Sequence, residues 1–382
     1  MYVDIVLDIN KKRLFRNYFN SHLILRTMRN VALKLSGFLL TGLLFVSCAK
    51  TETSSTTTSS LKDALTSGTQ NLNTAMTEIA STQAFQLLGV SSGAVLKSGT
   101  TATTTYSTYI PLSLVTGIYD YKPIKTTASR DYALIKFFTK TTDASKMVVN
   151  LPLAKLKDPH VLRQYLASDS TQTNNFTMSV TNYYNNYNSY RDYDYINVAD
   201  ITIDKASAGS LNIKSTVNPT TGTQYASQFA FSNGYTAKYA YASGDTTLSS
   251  FTLSKAAAVL YKEELRTIRS DTARFGHEQQ YSLTIGDVKL VRKADRSYAV
   301  YLKNVLQAKA VVTMVDKTST TEPSVCHQRE IQITFEDGTV TTVSTLISNS
   351  ISNISTLFSS LHDVYFAAYV VDWIAYDIYY KR

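Results

Sequence analysis

The residues able to do chemistry are few and scattered. Gly89-Val-Ser91-Ser-Gly93 has the Gly-x-Ser-x-Gly spacing of a nucleophile elbow, in which a strained strand-to-helix turn lifts the serine hydroxyl clear of the backbone. Here a helical pattern precedes it and a Ser/Thr/Gly-rich stretch follows, so the flanks of an elbow are missing. Cys326-His327 offers a thiol beside an imidazole. Neighbours in a strand point to opposite faces, so His327 cannot readily activate the thiol; His160, His277 or His362 would have to come from elsewhere. Asp192, Asp194, Asp200 and Asp204 supply oxygens for Ca²⁺ but lack the Gly-containing loop of a calcium site. The histidines lack zinc-ligand spacing. No acid, base and nucleophile come together, so we expect no catalytic residues, no metal and no cofactor.

The densest feature is Tyr183-Tyr-Asn-Asn-Tyr-Asn-Ser-Tyr-Arg-Asp-Tyr-Asp-Tyr195. Tyr183, Tyr184, Tyr187, Tyr190, Tyr193 and Tyr195 alternate with Asn and Asp. Tyrosine joins a flat apolar face to a polar tip, and asparagine adds donors and acceptors. The group suits a sugar ring or a protein partner, and we expect a binding surface there. The plainer reading is a strand whose tyrosines pack on their neighbours.

A chain of 382 residues is long enough for a full core without staples. Hydrophobic residues at 44% and charged residues at 18% are globular rather than disordered values. The 27 tyrosines, with abundant Thr and Ser, favour pleated half-buried surfaces. The formal charge of +9 is front-loaded. Residues 1–47 hold seven Lys/Arg and two Asp, which leaves 31 basic and 27 acidic residues, a balance of +4, in the remainder. Those charges form no stripe, so no nucleic-acid partner is expected.

Met28–Lys50 has the order of an export signal: Arg29 and Lys34, then an apolar run Leu35–Val46, then small Ser47 before Cys48. The run is too short to span a bilayer, which takes about 20 residues. Leu44-Phe45-Val46-Ser47-Cys48 resembles the lipobox of bacterial lipoproteins, with Phe45 where Leu is more usual. The resemblance covers about twenty residues and none of the body. It implies cleavage before Cys48, diacylglycerol on its sulfur and an acyl group on its new amino end. Stable attachment takes more than one chain. Ala49 follows, with no Asp to retain the protein at the inner membrane, so the outer membrane is the expected address. Consuming Cys48 leaves Cys326 as a lone thiol and rules out an intramolecular disulfide. Residues 1–27 precede a complete signal and read as a misassigned leader, the alternative being an unusually long basic region of the signal itself.

The elements that must position these residues read as follows. Residues 48–60 form a Ser/Thr tether, and residues 61–108 a helix and loop. Residues 109–382 form a β-rich body, with a division expected near 220–250. The fold class expected is α+β: antiparallel sheets, an N-terminal helix, a middle helix near 255–269 and, over 349–380, a C-terminal helix, with a strand as the alternative because Val, Tyr and Ile also favour one. The middle helix rests on the Ala, Leu, Glu and Lys of Lys255–Arg269. Period-two runs predict strands, among them Ala133–Phe138, and Asp337-Gly338 predicts a hairpin turn. Val364, Ala368, Val371, Ala375 and Ile378 share one helical face. Asp169-Ser-Thr, Asp245-Thr-Thr and Asp271-Thr-Ala resemble a three-residue O-glycosylation acceptor of bacterial exported proteins. Together these readings point to a lipid-anchored envelope protein with a binding or structural role. The alternatives are a carrier holding an apolar ligand on a curved sheet, and an envelope-polymer hydrolase working through Ser91 or Cys326.

Overall fold

The structure, a computed structural model, describes residues 60–88, 107–124, 134–156, 166–189, 191–270, 277–293, 295, 297–316 and 329–380. It is β-rich, with a large and mostly antiparallel sheet and a few helices. The described chain forms two compact units. The first holds residues 87–88, 107–227 and 360–380, and the second residues 60–86 and 228–359. Each is taken by itself.

The first unit is built on β1 (Thr108–Pro111), β2 (Gly117–Tyr121), β3 (Phe138–Thr142), β4 (Met147–Leu151), β5 (Phe176–Ser189), β6 (Asp192–Ile203) and β7 (Ala206–Asn218). The chain leaves it within β8 (Gly222–Phe231). β4 through β7 pair antiparallel in chain order, while β2 lies parallel to β4 and antiparallel to β3. β1 pairs with the far half of β5. Alternate residues face inward, as the period of a half-buried strand requires: Met147, Val149 and Leu151 on β4, and Ala199, Ile201 and Ile203 on β6. Asp204 and Lys205 both take positive φ (50° and 66°) in the tight β6–β7 turn. The run Ala133–Phe138 behaves differently from the strand expected there. Leu134–Phe137 makes a 3-10 turn that buries Phe137, and the strand begins at Phe138.

The second unit opens with helix α1 (Leu61–Ala80), after which come α2 (Gln83–Leu88) and, in the first unit, the single turn α3 (Leu153–Leu156). α1 starts where the Ser/Thr run ends because Ser60 caps it. The Ser60 hydroxyl accepts from the Asp63 amide (3.1 Å), and the Asp63 carboxylate accepts from the Ser60 amide (3.3 Å). Its buried stripe is Leu65, Gly68, Thr69, Leu72, Ala75, Met76 and Ile79. Gly68 reads as a weak point in a helix, but a Cβ there would sit 3.0 Å from the Ile285 carbonyl oxygen. The helix therefore approaches the sheet as closely as backbone allows.

The strands it covers belong to a meander of β9 (Tyr235–Ser243), β10 (Thr246–Lys255), β11 (Ala258–Arg269), β12 (His277–Ile285), β13 (Val288–Arg292), β14 (Tyr298–Leu302) and β15 (Val305–Leu306). A separate small sheet joins β16 (Val311–Asp316), β17 (Arg329–Thr334) and β18 (Val340–Thr342). Its β17–β18 turn is the one that Asp337-Gly338 predicts, with Gly338 at φ 78°.

The middle helix is not formed. Residues 258–269 are strand β11, hydrogen-bonded along both edges to β10 and β12. Tyr261 and Glu263 face inward while Lys262 and Glu264 stay half-exposed, which is a period of two. Helix propensity amounts to tenths of a kcal/mol per residue, and two full ladders of hydrogen bonds with inward packing override it. The turn before it is Ala256-Ala257, with Ala256 at φ 50° and no Gly, Asn or Pro to announce it.

The C-terminal helix is present and longer than expected: α4 runs Val343–Tyr380. Val343, Ile347, Ser350, Ile354, Leu357 and Leu361 are buried, as are Ala368, Val371 and Ala375, in alternating steps of three and four. Among the described residues no helix is long and apolar enough to cross a membrane.

Candidate functional site

The tyrosine run folds as the far half of β5 and the start of β6. Its Cα register places Tyr183 opposite Asn197 and Asn185 opposite Tyr195. All four side chains are buried, so two tyrosines and two asparagines form a checkerboard on the inward face. The last turns of α4 supply Asp372, also buried, and the partly exposed Tyr376. The Tyr195 hydroxyl donates to the Asp372 carboxylate, lying 3.0 and 3.2 Å from its two oxygens, and accepts from Asn197 Nδ2 at 3.2 Å. Two further contacts seat the same stretch of helix. The Ile135 amide donates to Asp377 (2.9 Å), and the Thr108 and Tyr380 hydroxyls bond each other (3.0 Å).

The rings form a chain from surface to floor. Tyr187 and Tyr193, partly exposed, meet edge to face at 6.1 Å. Tyr193 stacks on Tyr195 at 6.1 Å, and Tyr195 meets Tyr183 edge to face at 6.2 Å. Burial pushes the hydroxyls of Tyr183, Tyr193, Tyr195 and Tyr376 well above the ordinary tyrosine value, and the charge on Asp372 adds to it. They stay protonated and remain donors at any physiological pH.

Part of this polar set is left unmade. Asn197 Oδ1 is buried without a hydrogen-bond partner, and the Tyr183 hydroxyl and the Asn185 amide have only loose bonds, to each other and from Tyr183 to Asp372. A buried polar group left unmade costs about 1–3 kcal/mol, and native cores rarely carry several together.

The tyrosines do not make one exposed contact surface. Tyr183 and Tyr195 lie in the core, while Tyr184 faces the other side of the sheet, edge to face with exposed Tyr109 at 5.5 Å. Tyr190 lies outside the described residues, as do Cys48, Ser91, Cys326, His160 and Asp271. Among the described residues no group of His, Cys, Asp and Glu gathers to hold a metal ion. Asp169 of the first acceptor-like triplet is buried and ion-paired with Lys155 at 2.9 Å, so its role is structural.

In the second unit, rings pack on the inward face of the sheet. Phe358 lies 5.8 Å from Tyr239 and 5.6 Å from Phe251. One buried acid stands beside them, and sequence reading missed it because Glu263 sat in the expected helix. The Tyr281 hydroxyl donates to Glu263 Oε1 at 3.0 Å. Burial raises this carboxyl above its usual range, while hydrogen bonds from Tyr261 and Tyr281 pull it back. Between the usual value and the raised one, the folded chain binds more protons than the unfolded chain, so this group's contribution to stability falls as pH rises through that window. Glu263→Gln should therefore raise stability at neutral pH by about 1–3 kcal/mol, with the gain vanishing toward acid pH. Urea unfolding of both proteins across pH 4–8 checks the sign; a loss at neutral pH would show that the charged form is the stabilising one.

No family model, no curated protein and no solved structure matches this chain.

Proposed function

We propose that the protein is a cell-envelope lipoprotein, held to the membrane through Cys48, whose body binds rather than catalyses. The observation that carries the anchor is the order of Met28–Cys48: basic residues, an apolar run, a small residue, then cysteine. The Ser/Thr-rich residues 49–59 that follow, and a fold opening at a capped Ser60, suit an anchored body on a short tether. The binding role draws on the Tyr/Asn cluster of β5 and β6, which has the donors, acceptors and ring faces of a recognition site. The outer membrane is the address that fits the residues after Cys48.

Intact-mass measurement of the protein purified from membranes, beside a Cys48→Ala form, tests the anchor. The expected mass is that of a chain starting at Cys48 and carrying diacylglycerol plus one acyl group, with no lipid on the variant. An unlipidated chain, or one keeping residues 1–27, would overturn the reading.

A further inference from the structure

We infer that the end of the second unit carrying Val305, Leu306, Val311 and Val340 lies against the lipid surface to which Cys48 is anchored. This rests on the anchor proposed above and adds to it a face of the body.

Four of the five large apolar side chains left exposed in the described part of this unit gather here, Val259 being the fifth. Val311 and Val340 are 55% and 54% exposed. Strand register explains these two. Val311 pairs with Thr334 and Thr334 with Val340, so the three side chains form one row across the small sheet. The other face of that sheet holds Ile333, which is fully buried, so the row faces outward. Val305 and Leu306 join it from β15. Leu306 pairs with Tyr301, and a turn closed by the Ala310 amide on the Gln307 carbonyl (3.2 Å) leads straight to Val311.

The start of the body lies at this patch. Lys62, in the first turn of α1, bonds Asp337 at 2.9 Å, and Asp337 is three residues from Val340. Its neighbour Glu336 is ion-paired with Lys309, two residues from Val311. Ser60, where α1 is capped, therefore stands beside the exposed valines. Residues 48–59 reach at most about 43 Å at full extension, so a lipid on Cys48 keeps this end of α1 close to the membrane. Glu78, sixteen residues beyond Lys62, is about 24 Å further along the helix.

The chemistry of the patch suits a bilayer. Lys62 and Lys309 are each met by an acid, so these pairs bring no net charge against it. Aliphatic side chains beside the partly exposed Tyr301 fit the boundary between headgroups and acyl chains. A second copy pairing edge to edge would have only the three residues of β18 to use at that edge of the small sheet.

The protein is purified from membranes, its mass is taken, and it is placed in vesicles of phosphatidylcholine brominated on the acyl chains. Val340→Trp reports on the patch and Leu306→Trp repeats the reading should the first variant not fold. Ser232→Trp reports on the other end of α1, where Asn233 Nδ2 donates to the Glu78 carbonyl at 3.2 Å. Trp373, the single natural tryptophan, is common to all, and the parent protein gives its share of the signal. A face sunk about 5–10 Å into the headgroup boundary brings an indole to the brominated carbons, so the two patch signals should fall by about half and that of Ser232→Trp should not change. Lipid on Cys48 with no loss at the patch, or with an equal loss for Ser232→Trp, overturns the inference and leaves the anchor standing. Val340→Trp shielded from both bromolipid and aqueous iodide overturns it too, because protein then covers the face. An unlipidated mass overturns the inference and the anchor together.

Discussion

Replacing Lys155 by Met is expected to cost the fold about 3–5 kcal/mol. Lys155 and Asp169 are 2% and 0% exposed at their side chains and 2.9 Å apart, which sets them apart from the surface pairs of this protein. Lys62–Asp337 is also 2.9 Å long, but its side chains are 44% and 51% exposed, and such pairs contribute little. Asp169 is further committed: its carboxylate accepts from the Leu166 amide at 2.9 Å. It also bears on Tyr121, whose hydroxyl is pushed above its ordinary value by burial first and by the Asp169 charge second. Removing the ammonium leaves a carboxylate in the core with only neutral donors for company. The double variant Lys155→Met/Asp169→Leu should recover most of the loss, because a buried pair replaced by apolar groups is often close to neutral. Urea denaturation of the wild type, both single variants and the double variant gives the cycle. A single-variant loss below about 1 kcal/mol would mean that water reaches the pair and screens it as it does a surface bridge.

The second large effect is expected at Phe251. Its side chain is 1% exposed, and Tyr239 and Glu263 are its neighbours across the two adjoining strands. The rings of Phe358 and Tyr261 lie 5.6 and 6.3 Å away at steep angles. Phe251→Ala removes most of a buried ring at a point where a rigid sheet and a long helix cannot close the gap, so a loss of about 3–5 kcal/mol is expected. Phe358→Ala should cost less than its size suggests in the Phe251→Ala background. The two rings touch, and aromatic pairs carry a coupling of about 0.5–1.5 kcal/mol beyond area. Strict additivity in denaturant unfolding would show that the contact is not formed.

The elements legible in the sequence are those whose local and global preferences agree. The hairpin at Asp337-Gly338 joins a turn that needs positive φ to a residue that supplies it at no steric cost. The helix over Leu61–Ala80 shows its apolar spacing in sequence, whereas its Ser60 cap emerges from the structure, and Gly68, which reads as a flaw, lies close against the sheet. The C-terminal helix shows its face in Ala368, Val371 and Ala375 despite many strand-favouring neighbours. Residues 258–269 are the opposite case. Their side chains prefer a helix, and only the strands lying on both sides make β11 the better outcome.

The sequence by itself determined that the chain is β-rich and which thirteen residues concentrate tyrosine and asparagine. It could not determine which of those tyrosines face the core. Phe176, Met178 and Val180 point inward, and strict alternation would carry Tyr184 inward after them. Thr181 is an extra residue in β5: Val180 pairs with Ala199 but Asn182 with Val198. This bulge shifts the parity by one, so Tyr183 and Asn185 turn in and Tyr184 turns out. A bulge is set by the pairing of two strands and by what must fit beneath them, here the last turns of α4 with Asp372. That is a property of distant parts of the chain brought together, and the local order of residues does not contain it.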